Sequence, residues 1–167
     1  HEQSYHTFMR ENLFDHIDID INNTNVPCGD VEDLQQECDR YNALLDTLKQ
    51  DIQLLGIGAN GHIGFNEPGT SFDSVTYITD LQQKTISDNA RFFESINDVP
   101  TQAITMGVKN IMNAKKVLLL ASGLNKANAI KALVLDEISE SCPASVLRNH
   151  DDVIVIVDKE AASLLDK

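Results

Sequence analysis

Three short apolar runs interrupt an otherwise mixed pattern of polar and apolar residues, at 52–57, 117–121 and 153–157. Each run is rich in valine, isoleucine and leucine, and each lacks the polar alternation of a half-exposed strand. Runs of this kind are typical of parallel strands that are covered on both faces. We therefore expect three buried strands, with weaker strands over 76–81 and 103–106.

Helical periodicity surrounds these runs. Apolar spacing behind a candidate cap at Ser4 predicts a helix to about His16, and a second pattern from Asp30 predicts a longer helix. The residues that carry these patterns are Tyr5, Phe8, Met9 and Leu13, then Leu34, Cys38, Tyr41, Leu45 and Leu48. A third helical pattern consists of Ala127, Ile130, Leu133 and Val134. A short helix is also predicted before it, over 107–112. Strands and helices alternate, which favours an α/β fold with a largely parallel sheet.

Size and charge narrow the class of protein. A chain of 167 residues with 42% hydrophobic content is expected to form one domain over residues 1–167. Its net charge of −13 opposes binding to nucleic acid or to an anionic membrane, so an anionic ligand needs a local positive site. No apolar run approaches the ~20 residues of a membrane span. The unpaired spacing of Cys28, Cys38 and Cys142 indicates reduced core thiols in a cytoplasmic protein.

The loop after the first apolar run is the richest in chemistry, because ligands of parallel sheets bind at the carboxyl ends of strands. Residues 56–69 contain five glycines, which indicates unusual backbone angles or the close approach of a ligand. Gly56, Gly58 and Gly61 fit the G-x-G-x-x-G spacing of a dinucleotide site. The residues after Gly61 are poor helix formers, however, and no acid ends a clear second strand about 20 residues on. We therefore favour a loop that presents side chains.

Three polar side chains of this loop, Asn60, His62 and Glu67, are the candidate catalytic residues. A carboxylate neighbour favours the protonated imidazole, which suits a proton donor near neutral pH. The alternative is a histidine that is hydrogen-bonded for structure only. The glycine density and the strand-end position favour catalysis. A metal site is disfavoured, because no second His or Cys lies at ligand spacing.

Two cations are candidate phosphate ligands. Lys126 follows the glycine turn at 122–126, where a helix N-terminus favours an anion. A lysine at this place opposes the helix dipole, and a bound phosphate would offset that cost. Arg91 precedes two phenylalanines and could form a bidentate phosphate contact. Taken singly, each residue also fits an exposed surface cation.

The stretch LGIGANGHIGFNEPG, at 55–69, resembles the signature of the glucosamine/galactosamine-6-phosphate isomerase family, which includes the glucosamine-6-phosphate deaminases. Segments 90–93, 103–107 and 123–127 extend the likeness over nearly the whole chain. The resemblance implies a Rossmann-like three-layer α/β/α fold with a largely parallel sheet. It also implies conversion of glucosamine 6-phosphate and water into fructose 6-phosphate and ammonia, without a cofactor. The implied partner is a small-molecule sugar phosphate, and a homo-oligomer is compatible with the family.

The resemblance also assigns roles to single residues. The histidine that matches His62 assists opening of the pyranose ring, the acid that matches Glu67 pairs with it, and the residue at Asn60 completes the group. Arg91 and Lys126 align with cations that hold the sugar phosphate. The proton donor and the anion site found from the residues alone are thus the same ones that the family uses.

The chain also departs from the family pattern. Members carry a phosphate loop and the aspartate that acts as C2 base in a region before the helix near Ser4, whereas this chain begins at His1. We therefore expect a C-terminal portion of a longer domain that is incomplete because N-terminal βα units are missing, and that is inactive by itself. Asn60 stands where some members have an aspartate, so it can orient a neighbour but cannot titrate. Tyr77 and Thr79 replace basic residues of activated members, which predicts no activation by N-acetylglucosamine 6-phosphate.

Two other functions remain open. A 6-phosphogluconolactonase-like hydrolase shares a glycine-rich loop with a Gly-His pair, but the continuation at 65–68 fits the deaminase better. A non-catalytic sugar-phosphate sensor would keep the pocket and lack the base.

Overall fold

The computed structural model describes residues 2–165, apart from the side chains at positions 84, 88 and 89. Its strands are β1 (Ile52–Leu55), β2 (Tyr77–Asp80), β3 (Gln102–Thr105), β4 (Lys116–Ala121) and β5 (Val153–Val157). The main sheet has the order β1-β4-β5 and is parallel, with Leu118 opposite both Leu54 and Ile154. The three apolar runs therefore form the predicted parallel sheet.

The helices lie largely where the periodicity predicts them. They are α1 (Tyr5–Asn12), α2 (Leu34–Thr47), α3 (Gln83–Asn89), α4 (Val108–Met112) and α5 (Ala127–Val134). The second helix begins later than predicted because the Asp33 carboxylate caps it by accepting the Gln36 amide hydrogen at 3.0 Å. The first ends at Asn12, and a 3₁₀ turn (Phe14–His16) completes the predicted segment. The sequence pattern does not predict α3, since its polar residues have no apolar period.

One face of the main sheet carries the hydrophobic core. Val117 and Leu119 of β4 are fully buried, and they share one cluster with Ile130 of α5 and Leu147 of the 3₁₀ helix Pro143–Asn149. Complete burial of such a side chain contributes about 2 kcal/mol. This packing holds the strands whose carboxyl ends carry the loops described below.

The opposite face of the main sheet is apolar but exposed. Ile52 and Leu54 are 61% and 59% exposed, and Leu120, Ile154 and Ile156 lie exposed on the same face. The expectation of strands covered on both faces is therefore not met within residues 2–165. An apolar run records which side chains avoid water, but it does not say which segment covers them.

A second, two-stranded sheet pairs β2 with β3 in antiparallel fashion, with Tyr77 opposite Thr105. The weaker strand predictions are thus confirmed, but these strands lie outside the parallel sheet. Strand pattern alone does not assign a strand to a sheet, because pairing depends on tertiary contacts. The architecture is a Rossmann-like α/β fold with a mostly parallel main sheet, as predicted.

The cysteines differ in their surroundings. Cys38 and Cys142 are buried, whereas Cys28 is exposed, so the prediction of a core thiol is wrong for Cys28. Cys28 lies in the loop before α2, where its backbone amide donates to Glu37 Oε1 at 2.8 Å and its side chain remains exposed. Among the described helices, none combines the length and apolarity needed to cross a membrane.

Candidate active site

The loop after β1, residues 56–69, is called the β1 loop, and it leaves the carboxyl end of the parallel sheet. The Gly58 amide donates to the His62 carbonyl at 2.9 Å, and the Gly61 amide donates to the Gly58 carbonyl at 3.0 Å. Gly61 has a φ of 86°, and a Cβ there would lie 2.5 Å from Cys142 Sγ. No helix begins at Gly61, since the next described helix is α3. The glycines therefore shape a loop and do not open a dinucleotide-binding helix.

The three candidate catalytic residues come together in the β1 loop, as predicted. Asn60 Nδ2 donates to Glu67 Oε2 at 2.7 Å, and His62 Nδ1 lies 3.3 Å from Glu67 Oε1. Asn60 Oδ1 also accepts the His62 backbone amide hydrogen at 3.3 Å. The Glu67 carboxylate thus contacts the Asn60 amide through Oε2 and the His62 imidazole through Oε1.

The contact between His62 and Glu67 is an ion-pair contact and not a hydrogen bond. The two atoms are near enough, but Nδ1 is buried without a hydrogen-bond partner. The side chains are 32% and 22% exposed, so solvent screens their attraction only in part. No hydrogen bond within residues 2–165 engages His62 Nε2. The ring is therefore arranged with Nδ1 toward the carboxylate and with Nε2 free of hydrogen bonds to the described residues.

A buried asparagine, Asn66, holds the β1 loop from its buried side. Its side chain is fully buried, and Nδ2 donates to the Ile63 carbonyl at 2.8 Å and to the Met106 carbonyl at 2.9 Å. Nearby, Thr105 Oγ1 accepts the Phe65 amide hydrogen at 3.2 Å. The bonds to Thr105 and Met106 fix the loop to the carboxyl end of β3. Sequence reasoning missed Asn66, because nothing in a polar loop marks one amide as buried.

The loop after β4, residues 122–126, is called the β4 loop, and it supplies Lys126. Lys126 Nζ donates to the Ile57 carbonyl at 2.7 Å, which joins the β4 loop to the β1 loop. The Gly123 amide donates to both oxygens of Asp158, at 3.1 and 2.9 Å. Amide hydrogen bonds from Ala161 and Gly123 lower the pKa of the Asp158 carboxyl. The Gly123 amide, in the turn predicted to bind phosphate, thus already binds a carboxylate. Asp158 is the second residue, after Asn66, that sequence reasoning missed.

Arg91 lies apart from these contacts. It belongs to the 3₁₀ turn Ala90–Phe92, is exposed, and holds its guanidinium carbon 4.7 Å from the centre of the Phe92 ring. In the described part of the chain, no hydrogen bond or ion pair joins Arg91 to His62, Glu67 or Lys126. The same described residues contain no group of three or more His, Cys, Asp or Glu side chains that could hold a metal ion.

Comparison with known proteins shows which family the chain belongs to. The family model for glucosamine-6-phosphate isomerases/6-phosphogluconolactonase matches residues 1–156. A glucosamine-6-phosphate deaminase of Clostridium perfringens (strain SM101 / Type A) is 54% identical over 166 residues, covering 99% of this chain and 69% of that protein. The solved structure of a monomeric glucosamine-6-phosphate deaminase matches with a TM-score of 0.92 and 51% identity, over 98% of this chain and 68% of that one.

A more distant structure shows the same fold. The 6-phosphogluconolactonase from Trypanosoma brucei matches with a TM-score of 0.71 over 99% of this chain and 70% of that one. The two sequences are only 19% identical, so this likeness concerns the fold alone.

Proposed function

The chain belongs to the family of glucosamine-6-phosphate isomerases and 6-phosphogluconolactonases, and on this premise we propose that it is a glucosamine-6-phosphate deaminase of amino-sugar catabolism. The reaction converts glucosamine 6-phosphate and water into fructose 6-phosphate and ammonia. The observation that carries the proposal is the convergence of Asn60, His62 and Glu67 at the carboxyl end of β1.

We assign ring opening to His62. Opening the pyranose breaks the bond between C1 and the ring oxygen, which takes a proton while the C1 hydroxyl loses one. An imidazole with one nitrogen held near a carboxylate and the other free is suited to carry that proton. Glu67 faces Nδ1 of the ring at 3.3 Å and orients it. Asn60 orients Glu67 through the 2.7 Å hydrogen bond and takes no proton itself.

We assign phosphate binding to Lys126 and Arg91. The Lys126 ammonium has three donors and uses one on the Ile57 carbonyl, so two remain for phosphate oxygens. Arg91 offers an exposed guanidinium fork, which matches two oxygens of one phosphate. Anchoring the phosphate orients the reacting carbons, so that binding energy far from C1 and C2 lowers the barrier.

Transfer of the proton from C2 to C1 requires a second acid–base group. Neither Asn60 nor the paired Glu67 is assigned to this step, because the first cannot titrate and the second already faces His62. Loss of ammonia then follows addition of water to the iminium at C2. The proposal thus covers ring opening and binding by this chain's residues, and leaves the C2 base unassigned.

A comparison of two substrates tests the function. The complete product of the gene that encodes this chain is incubated with glucosamine 6-phosphate and, separately, with 6-phosphogluconolactone, while ammonia, fructose 6-phosphate and acid release are followed. We expect equal amounts of ammonia and fructose 6-phosphate from the first substrate and no acid above background from the second. Acid release without ammonia would identify a lactonase, and tight binding without turnover would identify a sensor; either result would overturn the proposal.

We further propose a cytoplasmic location. All three cysteines are free in the structure, and unpaired thiols are typical of reducing compartments. Cell fractionation followed by detection of the protein tests the location, and recovery in a secreted or membrane fraction would contradict it.

A further inference from the structure

Gly58 lies directly against the catalytic imidazole. A Cβ built on Gly58 would be 2.3 Å from both His62 Cε1 and His62 Nδ1, and 2.6 Å from His62 Cγ. These distances are far below van der Waals contact, so a methyl group and the ring cannot occupy their places together. The space that a side chain at position 58 would need is therefore filled by the ring of His62.

The backbone does not by itself require glycine at this position. The glycines with positive φ are Gly61, Gly64, Gly69 and Gly123, and Gly58 is not among them. An alanine at position 58 would therefore meet no backbone strain of its own. The obstacle is the imidazole of a residue four positions later, whose carbonyl the Gly58 amide also binds at 2.9 Å.

The ring edge that touches Gly58 is the one that faces Glu67. Nδ1 is at once 2.3 Å from the virtual Cβ and 3.3 Å from Glu67 Oε1. A methyl group would force a rotation of the ring that carries Nδ1 away from the carboxylate and turns Nε2 from its present direction. The displacement would act on the catalytic histidine first, because the ring supplies the three nearest atoms.

We propose that Gly58 is a positioning residue for His62. Because Gly58 has no side chain, the imidazole packs against its backbone with Nδ1 toward Glu67. This catalytic consequence rests on the role proposed above for His62, whereas the seating of the ring follows from the geometry alone. The G-x-G-x-x-G spacing thus acquires a meaning other than nucleotide binding.

The test compares Gly58→Ala with Gly56→Ala in the complete gene product. Gly56 lies two residues earlier in the same loop, has no atom within 4 Å of a virtual Cβ, and does not have positive φ, so it is the matched control. For Gly58→Ala we expect kcat with glucosamine 6-phosphate to fall about 10-fold or more, while KM changes little. Turnover of the open-chain analogue 4,5-dideoxyglucosamine 6-phosphate, which has no hydroxyl at C4 or C5 and therefore forms neither furanose nor pyranose, should be much less affected. Gly56→Ala should match the wild type on both substrates.

Two measurements do not depend on turnover. The ¹⁵N chemical shifts of the His62 ring should move in Gly58→Ala and stay in place in Gly56→Ala. In a double-mutant cycle, the loss of thermal stability caused by Gly58→Ala should disappear when His62 is already alanine, because the ring that meets the methyl is then gone. This cycle keeps the test informative if Gly58→Ala alone folds poorly.

The outcomes separate the inference from the proposed function. Unchanged ring shifts and an additive cycle would overturn the positioning role, even in an active deaminase. If the wild type is inactive, but Gly58→Ala still shifts the His62 ring signals and the cycle is non-additive, the positioning role of Gly58 stands and the deaminase function is refuted.

Discussion

The β1 loop and the β4 loop leave the same edge of one parallel sheet, yet they are held in place in opposite ways. The β1 loop is fastened from below by Asn66, a fully buried amide that binds two backbone carbonyls. The β4 loop is fastened from outside by Asp158, an exposed carboxylate that accepts the Gly123 and Ala161 amide hydrogens. The first arrangement fixes the geometry of side chains, and the second fixes a backbone turn.

This difference matches what each loop presents. The β1 loop presents an imidazole whose direction decides its use, so it needs a rigid floor. The β4 loop presents Lys126, the proposed phosphate-binding cation, whose flexible side chain needs to be near a phosphate but not aligned with it. The hydrogen bond from Lys126 to the Ile57 carbonyl joins the two loops, so the residues proposed for phosphate binding and for ring opening share one support.

The largest effect is expected at the imidazole itself. His62→Gln keeps a hydrogen-bonding side chain but removes proton transfer, so kcat for glucosamine 6-phosphate should fall by about two orders of magnitude. Turnover of the open-chain analogue 4,5-dideoxyglucosamine 6-phosphate should fall far less, since it forms neither furanose nor pyranose and needs no ring opening. Steady-state assays of both substrates check this. An equal loss on the two would remove ring opening from the role of His62.

The next largest effect is expected at Asn66, whose buried side chain holds the β1 loop. Asn66→Ala removes the two hydrogen bonds that Nδ2 donates to the Ile63 and Met106 carbonyls. The free energy of unfolding should therefore fall by about 2 kcal/mol. Asn125→Ala, at an exposed position of the β4 loop, is the matched control and should change it by less than about 0.5 kcal/mol. Urea unfolding measures both variants. Equal losses of unfolding free energy in the two variants would mean that the buried Asn66 side chain does not stabilise the β1 loop.

The contrast between these asparagines also shows how far sequence reasoning reaches. Periodicity predicted the three strands of the main sheet and four of the five α-helices found within residues 2–165, because apolar spacing directly reflects which side is buried. The convergence of Asn60, His62 and Glu67 was predictable because all three lie within one short loop. By contrast, Asn66 and Asp158 each bind one partner about 35 to 40 residues away as well as a near one, and no local pattern reveals the distant contact. The contact between Gly58 and His62 is local, but only the ring's orientation shows it.

A smaller effect is expected from the cation of the β4 loop. Lys126→Met removes a charge proposed to bind phosphate, so KM for glucosamine 6-phosphate should rise about 10-fold, with a smaller change in kcat. The matched control is Lys49→Met, an exposed lysine just before β1 and hence near the opposite edge of the sheet. Assays over a range of substrate concentrations separate the two constants. A large fall in kcat without a change in KM would assign Lys126 to shaping the β1 loop through the Ile57 carbonyl.

The smallest effect concerns Asp158, and its sign follows from its pKa. The carboxyl pKa is lowered from 3.8 in the folded protein by amide hydrogen bonds, so the charged form stabilises the fold above that value. This stabilisation should be lost as the pH falls below 3.8 and through the lowered pKa. Asp158→Asn should therefore lower Tm slightly near neutral pH and progressively less in acid, whereas Asp151→Asn, at an exposed position before β5, should change it little.

Thermal unfolding across this pH range decides which feature of Asp158 holds the β4 loop. A deficit that shrinks in acid assigns the hold to the negative charge, as the comparison requires. A deficit that stays constant would assign it to the oxygen acceptors alone. The β4 loop would then be fixed by neutral hydrogen bonding, as the β1 loop is by Asn66, and the two loops would differ only in burial.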